Sequence, residues 1–217
     1  MKRVRELAAR YGIEAAPLEA LLEALAAEPD PPTTVADPVD QHLADSLAAV
    51  PYISPSHLAD IGSGMGFPGL VLAAAFPSAF VTLVESQRRH AAVAERLGRA
   101  AGLPNIAVLP CRAEEVRDSF DVVTARAVAP LAVLVEYAAP LRVDGGQLVA
   151  WKGARDDVEE LAGEEAARVI GLTPDRVEAV EPFPGAHSRH LHFYVKTAPT
   201  PDRFPRRPGM ARKRPLA

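Results

Sequence analysis

The sequence predicts an α/β fold with a mostly parallel sheet and helices on both faces. Strand-like apolar runs alternate with helical segments between residues 57 and 170, which is the pattern of a doubly wound sheet. A ladder of glycines at Gly62, Gly64, Gly66 and Gly69 follows the first of these runs directly. Because glycine lets a ligand approach the backbone closely, this turn predicts a nucleotide-like ligand at the carboxyl end of the first strand.

The glycine ladder alone is compatible with more than one ligand. Gly64, Gly66 and Gly69 match the dinucleotide spacing G-x-G-x-x-G. Asp60, Gly62, Gly64 and Gly66 match D-x-G-x-G-x-G, the first motif of class I S-adenosylmethionine methyltransferases. A plain glycine-rich turn between a strand and a helix is a third interpretation, and the glycines do not separate the three.

Length and composition indicate one globular domain overall, since 217 residues with 48% hydrophobic and 24% charged side chains can form a continuous core. Within it we expect an N-terminal helical extension (1–50), a Rossmann-like core (51–197) and a basic Pro/Arg-rich tail (198–217).

Apolar stretches such as Leu70–Phe76 are shorter than the roughly 18 residues of a membrane span, and residues 1–12 lack the apolar core of a signal peptide. A cytoplasmic protein is therefore expected.

The single cysteine, Cys111, excludes an internal disulfide framework and cannot build a thiolate metal cluster. No metal is expected.

The charge of the chain is unevenly distributed: residues 202–217 carry +5, while the rest of the chain carries about −9. This asymmetry favours an anionic partner such as nucleic acid, with a solvated tail as the alternative.

Periodicity places the individual elements. Helices are expected at residues 3–11, 17–28, 39–50, 87–101, 130–141 and 156–170, and a further helix starts after the glycine ladder at 67–72. Strands are expected at residues 58–61, 80–85, 106–109, 120–124, 146–151, 177–180 and 191–196, and the last two could close the sheet as an antiparallel pair. Prolines exclude regular structure from the linker before residue 39.

Two sets of polar residues stand out within this plan. His42, Asp45 and Ser46 are spaced so that their side chains meet on one face of a helix, although an ordinary capping or core histidine is the alternative. Glu85 follows the second strand, where a carboxylate accepts hydrogen bonds from ribose hydroxyls. Since NAD and S-adenosylmethionine both contain such a ribose, Glu85 does not choose between them.

The resemblance to a known family is carried by strings that follow the other strands. They are LADIGSGMGFPGL, LVESQRR, RAEE, FDVVTARAVAPL and GGQLVAWKG, with HLADSL before them, and they cover residues 42 to 153 almost continuously. Together they resemble the bacterial small-subunit ribosomal RNA methyltransferase G family, also called glucose-inhibited division protein B. The tail TPDRFPRRPGMARKRPL is also similar to that of many members, whereas linker residues 31–35 depart from the Trp-Asn and Asn-Leu-Thr run of the family.

The resemblance implies a class I Rossmann-like methyltransferase with S-adenosylmethionine as cofactor. By matching position it implies cofactor contacts at Gly62 and Phe67 in the glycine loop, at Ala113 and Glu114 on an adenine-contacting turn, and at Arg126. The expected cofactor-binding set, with the loop glycines and the ribose candidate added, is Gly62, Gly64, Gly66, Phe67, Glu85, Ala113, Glu114 and Arg126. Each of four residues also has a purely structural alternative: core packing for Phe67, helix capping for Glu114, a surface ion pair for Arg126 and an ordinary strand-end carboxylate for Glu85.

The implied reaction is methylation of N7 of a guanine in the 530 loop of 16S ribosomal RNA. Guanine N7 has an in-plane lone pair and loses no proton, so the attack needs no general base and depends on alignment. We therefore name no catalytic residue and expect Arg126 to shape the pocket. The expected partner is the 16S ribosomal RNA of the small subunit, and a monomer is expected.

RNA recognition is expected to combine phosphate contacts with access to an unstacked base. The candidates for phosphate contacts are Arg88, Arg89, Lys152, Arg206, Arg207, Lys213 and Arg214. Removal of residues 202–217 should weaken RNA binding with little change in cofactor affinity. Two other functions stay open on the residues alone: an NAD-dependent oxidoreductase, and a non-enzymatic RNA-binding factor for ribosome assembly.

Overall fold

Seven strands form one sheet in the computed structural model, which describes residues 1–217. They are β1 (His57–Ile61), β2 (Phe80–Val84), β3 (Ile106–Leu109), β4 (Phe120–Arg126), β5 (Arg142–Lys152), β6 (Leu172–Val180) and β7 (Arg189–Lys196). Their order across the sheet is β3-β2-β1-β4-β5-β7-β6. Strands β1 to β5 pair in parallel, and β7 runs antiparallel to both β5 and β6. The predicted α/β class and the antiparallel closing pair are confirmed.

The helices pack on both faces of this sheet. They are α1 (Lys2–Tyr11), α2 (Ala15–Ala27), α3 (Asp45–Leu47), α4 (Gly69–Ala75), α5 (Arg88–Ala100), α6 (Leu131–Ala138), α7 (Asp157–Ile170) and α8 (Met210–Lys213). Apolar side chains of α1, α2, α4 and α5 form one buried cluster, and those of α6 and α7 form a second on the opposite face. None of the helices is long and apolar enough to cross a membrane.

Several elements differ from the prediction, among them β5, which starts at residue 142 instead of 146. The expected helix at 39–50 starts as a π-helical turn, Val39–Ala44, before α3. Strand β6 starts at residue 172 instead of 177, because a register shift between Pro174 and Arg176 accommodates the proline on an edge strand. Helix α8 was not predicted, since four residues carry no readable periodicity.

The sheet order reverses at β1, which pairs with β2 on one side and with β4 on the other. The chain leaves β1 and β4 toward opposite faces, so the loops that follow these two strands separate. A crevice outside the carboxyl ends of the strands results, and open α/β sheets bind their ligands at such a point.

Candidate functional site

A cleft of about 480 Å³ lies at the carboxyl ends of β1, β2, β3 and β4. Four loops, one after each strand, supply most of its walls, and single residues of α5, α6 and the C-terminal segment supply the rest. The lining residues are Ile61, Gly62, Gly64, Val84, Glu85, Ser86, Gln87, His90, Cys111, Arg112, Ala113, Glu114, Ala127, Val128, Tyr137 and Arg212. Five of the predicted cofactor-binding residues are among them: Gly62, Gly64, Glu85, Ala113 and Glu114.

The glycine loop forms the floor of the cleft. Gly62 has φ +66° and Gly64 has φ +57°, both in the left-handed region that favours glycine. A Cβ on Gly62 would lie 2.6 Å from Cγ2 of Val128, whereas a Cβ on Gly64 would meet no atom within 4 Å. Gly62 is therefore required both by its backbone conformation and by the close approach of the loop after β4.

Gly66 and Phe67 lie beneath this floor and are absent from the lining. A Cβ on Gly66 would lie 2.4 Å from Cδ1 of Leu70. The Phe67 ring is 6% exposed and stacks on the His42 ring, with centroids 4.4 Å apart and planes 14° apart. The structure thus places Phe67, predicted to contact a cofactor, in the packing that supports the loop.

Glu85 lies in the wall after β2 and is held by two backbone amides. Its Oε2 accepts a hydrogen bond from Gly64 N at 2.9 Å, and its Oε1 accepts one from Gln87 N at 2.7 Å. Each carboxylate oxygen keeps a further lone pair for a ligand donor. The carboxylate is therefore fixed in orientation and still able to bind a pair of hydroxyl groups.

Asp60 is fully buried below the same loop and is absent from the lining. Its Oδ2 accepts a hydrogen bond from Gly69 N at 2.9 Å, and its Oδ1 accepts one from the Thr124 hydroxyl at 2.9 Å. Burial raises the pKa of this carboxyl to about 7, although both hydrogen bonds act in the opposite direction. Asp60 thus joins β1 to the start of α4 and to β4.

The wall after β3 is the single turn Ala113–Glu115. Glu115 Oε2 accepts a hydrogen bond from Arg112 N at 2.8 Å and so caps this turn. Glu114 is buried, and its Oε1 accepts a hydrogen bond from Gly209 N at 2.8 Å. Cys111 also lines the cleft, and partial burial raises the pKa of its thiol.

Arg126 at the end of β4 is not among the residues that line the cleft. Its Nη1 donates to Asp45 Oδ2 at 2.7 Å and to Gln41 O at 3.0 Å, and Trp151 Nε1 donates to Asp45 O at 2.9 Å. The next residue, Ala127, has φ +56° and enters the cleft lining. Arg126 therefore holds the end of β4, and with it the start of the loop that follows.

Of the predicted cluster, His42 lies in the π-helical turn and Asp45 and Ser46 follow it in α3, but no hydrogen bond joins their side chains. All three residues are buried, and the Ser46 hydroxyl donates to His42 O. Neither ring nitrogen of His42 has a hydrogen-bond partner. Burial, with a smaller contribution from the Arg126 charge, lowers the pKa of His42 to about 4. His42 is therefore a neutral ring that packs under the glycine loop.

The C-terminal segment supplies a part of the site that the sequence did not predict. Arg212 lines the cleft, and its Nη2 donates to Val128 O at 2.6 Å. Arg206 Nε donates to Oε1 of the buried Glu136 at 2.6 Å. Phe204, an apolar residue in a charged tail, is 8% exposed. An apolar aromatic residue in such a tail is the feature of the sequence that could have indicated packing against the core.

The predicted RNA-binding residues fall into two groups. Three are engaged in ion pairs: Arg89 with Asp30 at 2.5 Å, Lys152 with Glu159 at 2.5 Å, and Arg206 with Glu136. The other four, which form no ion pair, are exposed at the surface: Arg88, Arg207, Lys213 and Arg214. The predicted loss of RNA binding on removal of residues 202–217 stays a prediction, and the structure adds that Arg206 bonds to Glu136 of the core and Arg212 to Val128 of the cleft wall.

Comparison with known proteins shows the family. The family described as rRNA small subunit methyltransferase G matches residues 31–191. The chain belongs to this family. A protein named ribosomal RNA small subunit methyltransferase G from Chloroflexus aggregans is 44% identical over 188 residues, which cover 82% of this chain and 78% of that protein. The protein of the same name from Roseiflexus castenholzii is also 44% identical, over 186 residues that cover 82% of this chain and 79% of that protein. The resemblance stated from the motifs is thereby confirmed.

Solved structures confirm the class I methyltransferase fold expected of an rRNA small subunit methyltransferase G. A SAM-dependent O-methyltransferase from Thermotoga maritima superposes with a TM-score of 0.60 at 17% identity, over 84% of this chain and 73% of that one. A ribosomal protein L11 methylase from Lactobacillus delbrueckii superposes with a TM-score of 0.57 at 17% identity, over 72% of this chain and 78% of that one. At these identities the likeness concerns the fold alone.

Proposed function

We propose that the protein transfers a methyl group from S-adenosylmethionine to N7 of a guanine in 16S ribosomal RNA of the small subunit. One observation carries the proposal: in a chain of the rRNA small subunit methyltransferase G family, the glycine loop, Glu85 and the Ala113–Glu114 turn converge on one cleft at the switch point of the sheet. Family membership favours this function over an NAD-dependent oxidoreductase.

The residues of the cleft fit S-adenosylmethionine. Gly62 and Gly64 offer backbone without a Cβ, so a ligand can lie directly on the loop. The fixed carboxylate of Glu85 suits the two ribose hydroxyls, and residues Cys111 to Glu114 form the wall expected to face the adenine. The volume of about 480 Å³ lies within the roughly 300–1,000 Å³ of small-molecule sites.

Alignment is the contribution that the protein makes to this reaction. The bound cofactor supplies a methyl group on a positively charged sulfur. As the N7–C bond forms and the S–C bond breaks, the positive charge passes to the purine and no proton is lost, so a general base is not needed. Ala127 and Val128 form the target-facing side of the cleft, and Arg126 holds them in place through Asp45.

RNA binding in this proposal uses the exposed cations around the cleft. Arg88 starts α5 next to the lining residue Gln87, and Arg207, Lys213 and Arg214 are exposed on the C-terminal segment near Arg212. Positive charge at these positions suits phosphates of a structured RNA loop. Arg89, Lys152 and Arg206 contribute less, because their carboxylate partners already neutralise them.

The activity is tested with purified protein, a labelled methyl donor and small subunits that lack the modification. Incorporation of label, followed by mapping of the modified base to guanine N7, is the expected result. S-adenosylhomocysteine should bind to the protein and NAD should not. Binding to small subunits without any incorporation would favour the assembly factor instead. We further propose a cytoplasmic enzyme that works as a monomer.

A further inference from the structure

The C-terminal segment lies across the rim of the cleft between two of its walls. We call residues 204–214 the C-terminal strap. Gly209 N donates to Glu114 Oε1 at 2.8 Å, on the wall after β3. Three residues later, Arg212 Nη2 donates to Val128 O at 2.6 Å, on the wall after β4. One short stretch of chain thus bridges the two sides between which the cofactor is proposed to lie.

The strap is anchored firmly outside the cleft. Phe204 and Ala211 are buried in the same apolar cluster as α6. Arg206 forms a two-bond ion pair with Glu136, which is 3% exposed, and its Nη2 also donates to Arg214 O at 2.8 Å. A buried carboxylate requires such a partner, because an unpaired charge is costly to bury. The position of the strap is therefore determined by the core.

Val128 connects the strap to the floor of the cleft. A Cβ on Gly62 would lie 2.6 Å from Val128 Cγ2, so Val128 sets the closest approach of the target-facing loop to the glycine loop. Ala127, directly before it, has φ +56°, a conformation that a non-glycine residue adopts only where its surroundings hold it. The hydrogen bond from Arg212 to Val128 O helps to stabilise this conformation of Ala127.

We propose that the C-terminal strap is a structural part of the cofactor site and that Arg212 is a positioning residue of that site. Arg212 holds the loop at Val128 so that the cleft keeps the width that the cofactor needs. The hydrogen bond from Gly209 N orients the carboxylate of Glu114. The inference rests on the proposed function, because the ligand that it concerns is S-adenosylmethionine. It assigns to the tail a role in cofactor affinity in addition to any RNA contact.

The test compares Arg212→Ala with Arg203→Ala in the full-length protein. Arg203 precedes the strap, is exposed, does not line the cleft and forms no hydrogen bond or ion pair; its guanidinium carbon lies 5.1 Å from the centroid of the Phe204 ring. Its replacement therefore removes one positive charge without removing a bond to the cleft wall. The dissociation constant of S-adenosylhomocysteine is measured by calorimetry. Arg212→Ala should raise it about tenfold, the loss expected for one charged hydrogen bond, and Arg203→Ala should change it less than about twofold. Arg212→Lys, which can still donate to Val128 O, should recover part of the affinity.

Kinetics separate positioning from general damage. Arg212→Ala should raise the KM for S-adenosylmethionine and leave kcat at saturating cofactor nearly unchanged. Equal cofactor affinity in Arg212→Ala and Arg203→Ala would overturn the inference while leaving the methyltransferase intact. Absence of S-adenosylhomocysteine binding to the wild-type protein would instead overturn the proposed function itself.

Amide hydrogen exchange on the wild-type protein gives a test that does not depend on a variant that folds. Binding of S-adenosylhomocysteine should slow exchange at the Gly209 amide, which donates to Glu114, and in the following residues to Arg212. The amides of α7, on the same face of the sheet and outside the cleft, should not change. Exchange at Gly209 that is the same with and without the ligand would refute a strap that belongs to the site.

Discussion

Gly62 and Gly64 have nearly the same backbone conformation and very different surroundings, which makes them a matched pair. Alanine at either position incurs the strain of a positive φ, roughly 1–2 kcal/mol. Alanine at Gly62 must in addition displace Val128, 2.6 Å away, whereas alanine at Gly64 meets nothing within 4 Å. Gly62→Ala should therefore lower the free energy of unfolding by more than Gly64→Ala, by about 1–3 kcal/mol.

Urea denaturation of the two single variants without ligand measures this difference. Adding Val128→Ala to Gly62→Ala should recover most of the extra loss, because it removes the methyl group that the new Cβ meets. Equal stability of the two single variants would show that the loop after β4 yields freely.

Asp60 should make the stability of the protein depend on pH. The pKa of this carboxyl is raised from 3.8 to about 7 by burial, so the folded chain keeps a proton that the unfolded chain has lost. Its contribution to stability is therefore fully present below pH 3.8 and is lost as the pH rises through about 7. Relative to Asp60→Asn, the free energy of unfolding of the wild type should fall by roughly 2–3 kcal/mol between about pH 5 and pH 8.

Asparagine is a suitable replacement because its Oδ1 can accept from Gly69 N while its amide group donates to the Thr124 hydroxyl. His42 acts in the opposite direction: its pKa is lowered from 6.5 to about 4, so its contribution is present above pH 6.5 and is lost as the pH falls through about 4. His42 is the same in both proteins, so it cancels in the difference. Parallel stability curves over this pH range would contradict the assignment to Asp60.

At the scale of elements, Arg126 joins the π-helical turn to the end of β4 through Asp45. The Arg126 side chain is 16% exposed and that of Asp45 is 11% exposed. Arg126→Ala would leave Asp45 with only Arg189 Nε at 3.7 Å, so we expect a loss of roughly 3 kcal/mol in the free energy of unfolding. Thermal or urea unfolding measures it.

The control for this pair is a double variant, Arg126→Met with Asp45→Asn. Because it removes both charges together, no uncompensated carboxylate remains and more than half of the stability should return. If the double variant is as unstable as Arg126→Ala, the link between these elements depends on something other than the ion pair.

The elements were predictable where local pattern decides them. Strands β1, β2 and β4 are mostly apolar because the parallel sheet is covered on both faces, and Glu85 could be placed near the glycine loop because parallel strands end at one edge. The stacking of Phe67 on His42 could not be predicted, because the two residues are 25 positions apart in the chain. The ion pair that anchors the tail could not be predicted from charge counts, because Glu136 is 70 residues before its partner Arg206 in the chain.

For the molecule as a whole, the cations that remain exposed should control the salt dependence of RNA binding. Arg88 and Lys213 are exposed near the cleft and form no ion pair. Replacing both with glutamine should reduce the slope of log K against log salt by about 1.5, since each phosphate contact contributes roughly 0.7–0.9. Filter binding or fluorescence titration with a 16S RNA fragment across a salt series measures this slope.

Arg99→Gln serves as the control variant, because Arg99 lies at the far end of α5 and pairs with Glu95 at 3.0 Å. Its slope should equal that of the wild type. An unchanged slope in the Arg88→Gln and Lys213→Gln double variant would place the RNA on another surface.

The C-terminal strap has one more consequence, which concerns the binding of the two ligands during turnover. Lys213 and Arg214 are exposed on the same short segment whose Arg212 side chain contacts the cleft wall. If RNA phosphates bind these two residues while the strap holds the cofactor, the two ligands stabilise one conformation and each must raise the affinity of the other by the same factor. Departure of either product would then weaken the binding of the other by that same factor.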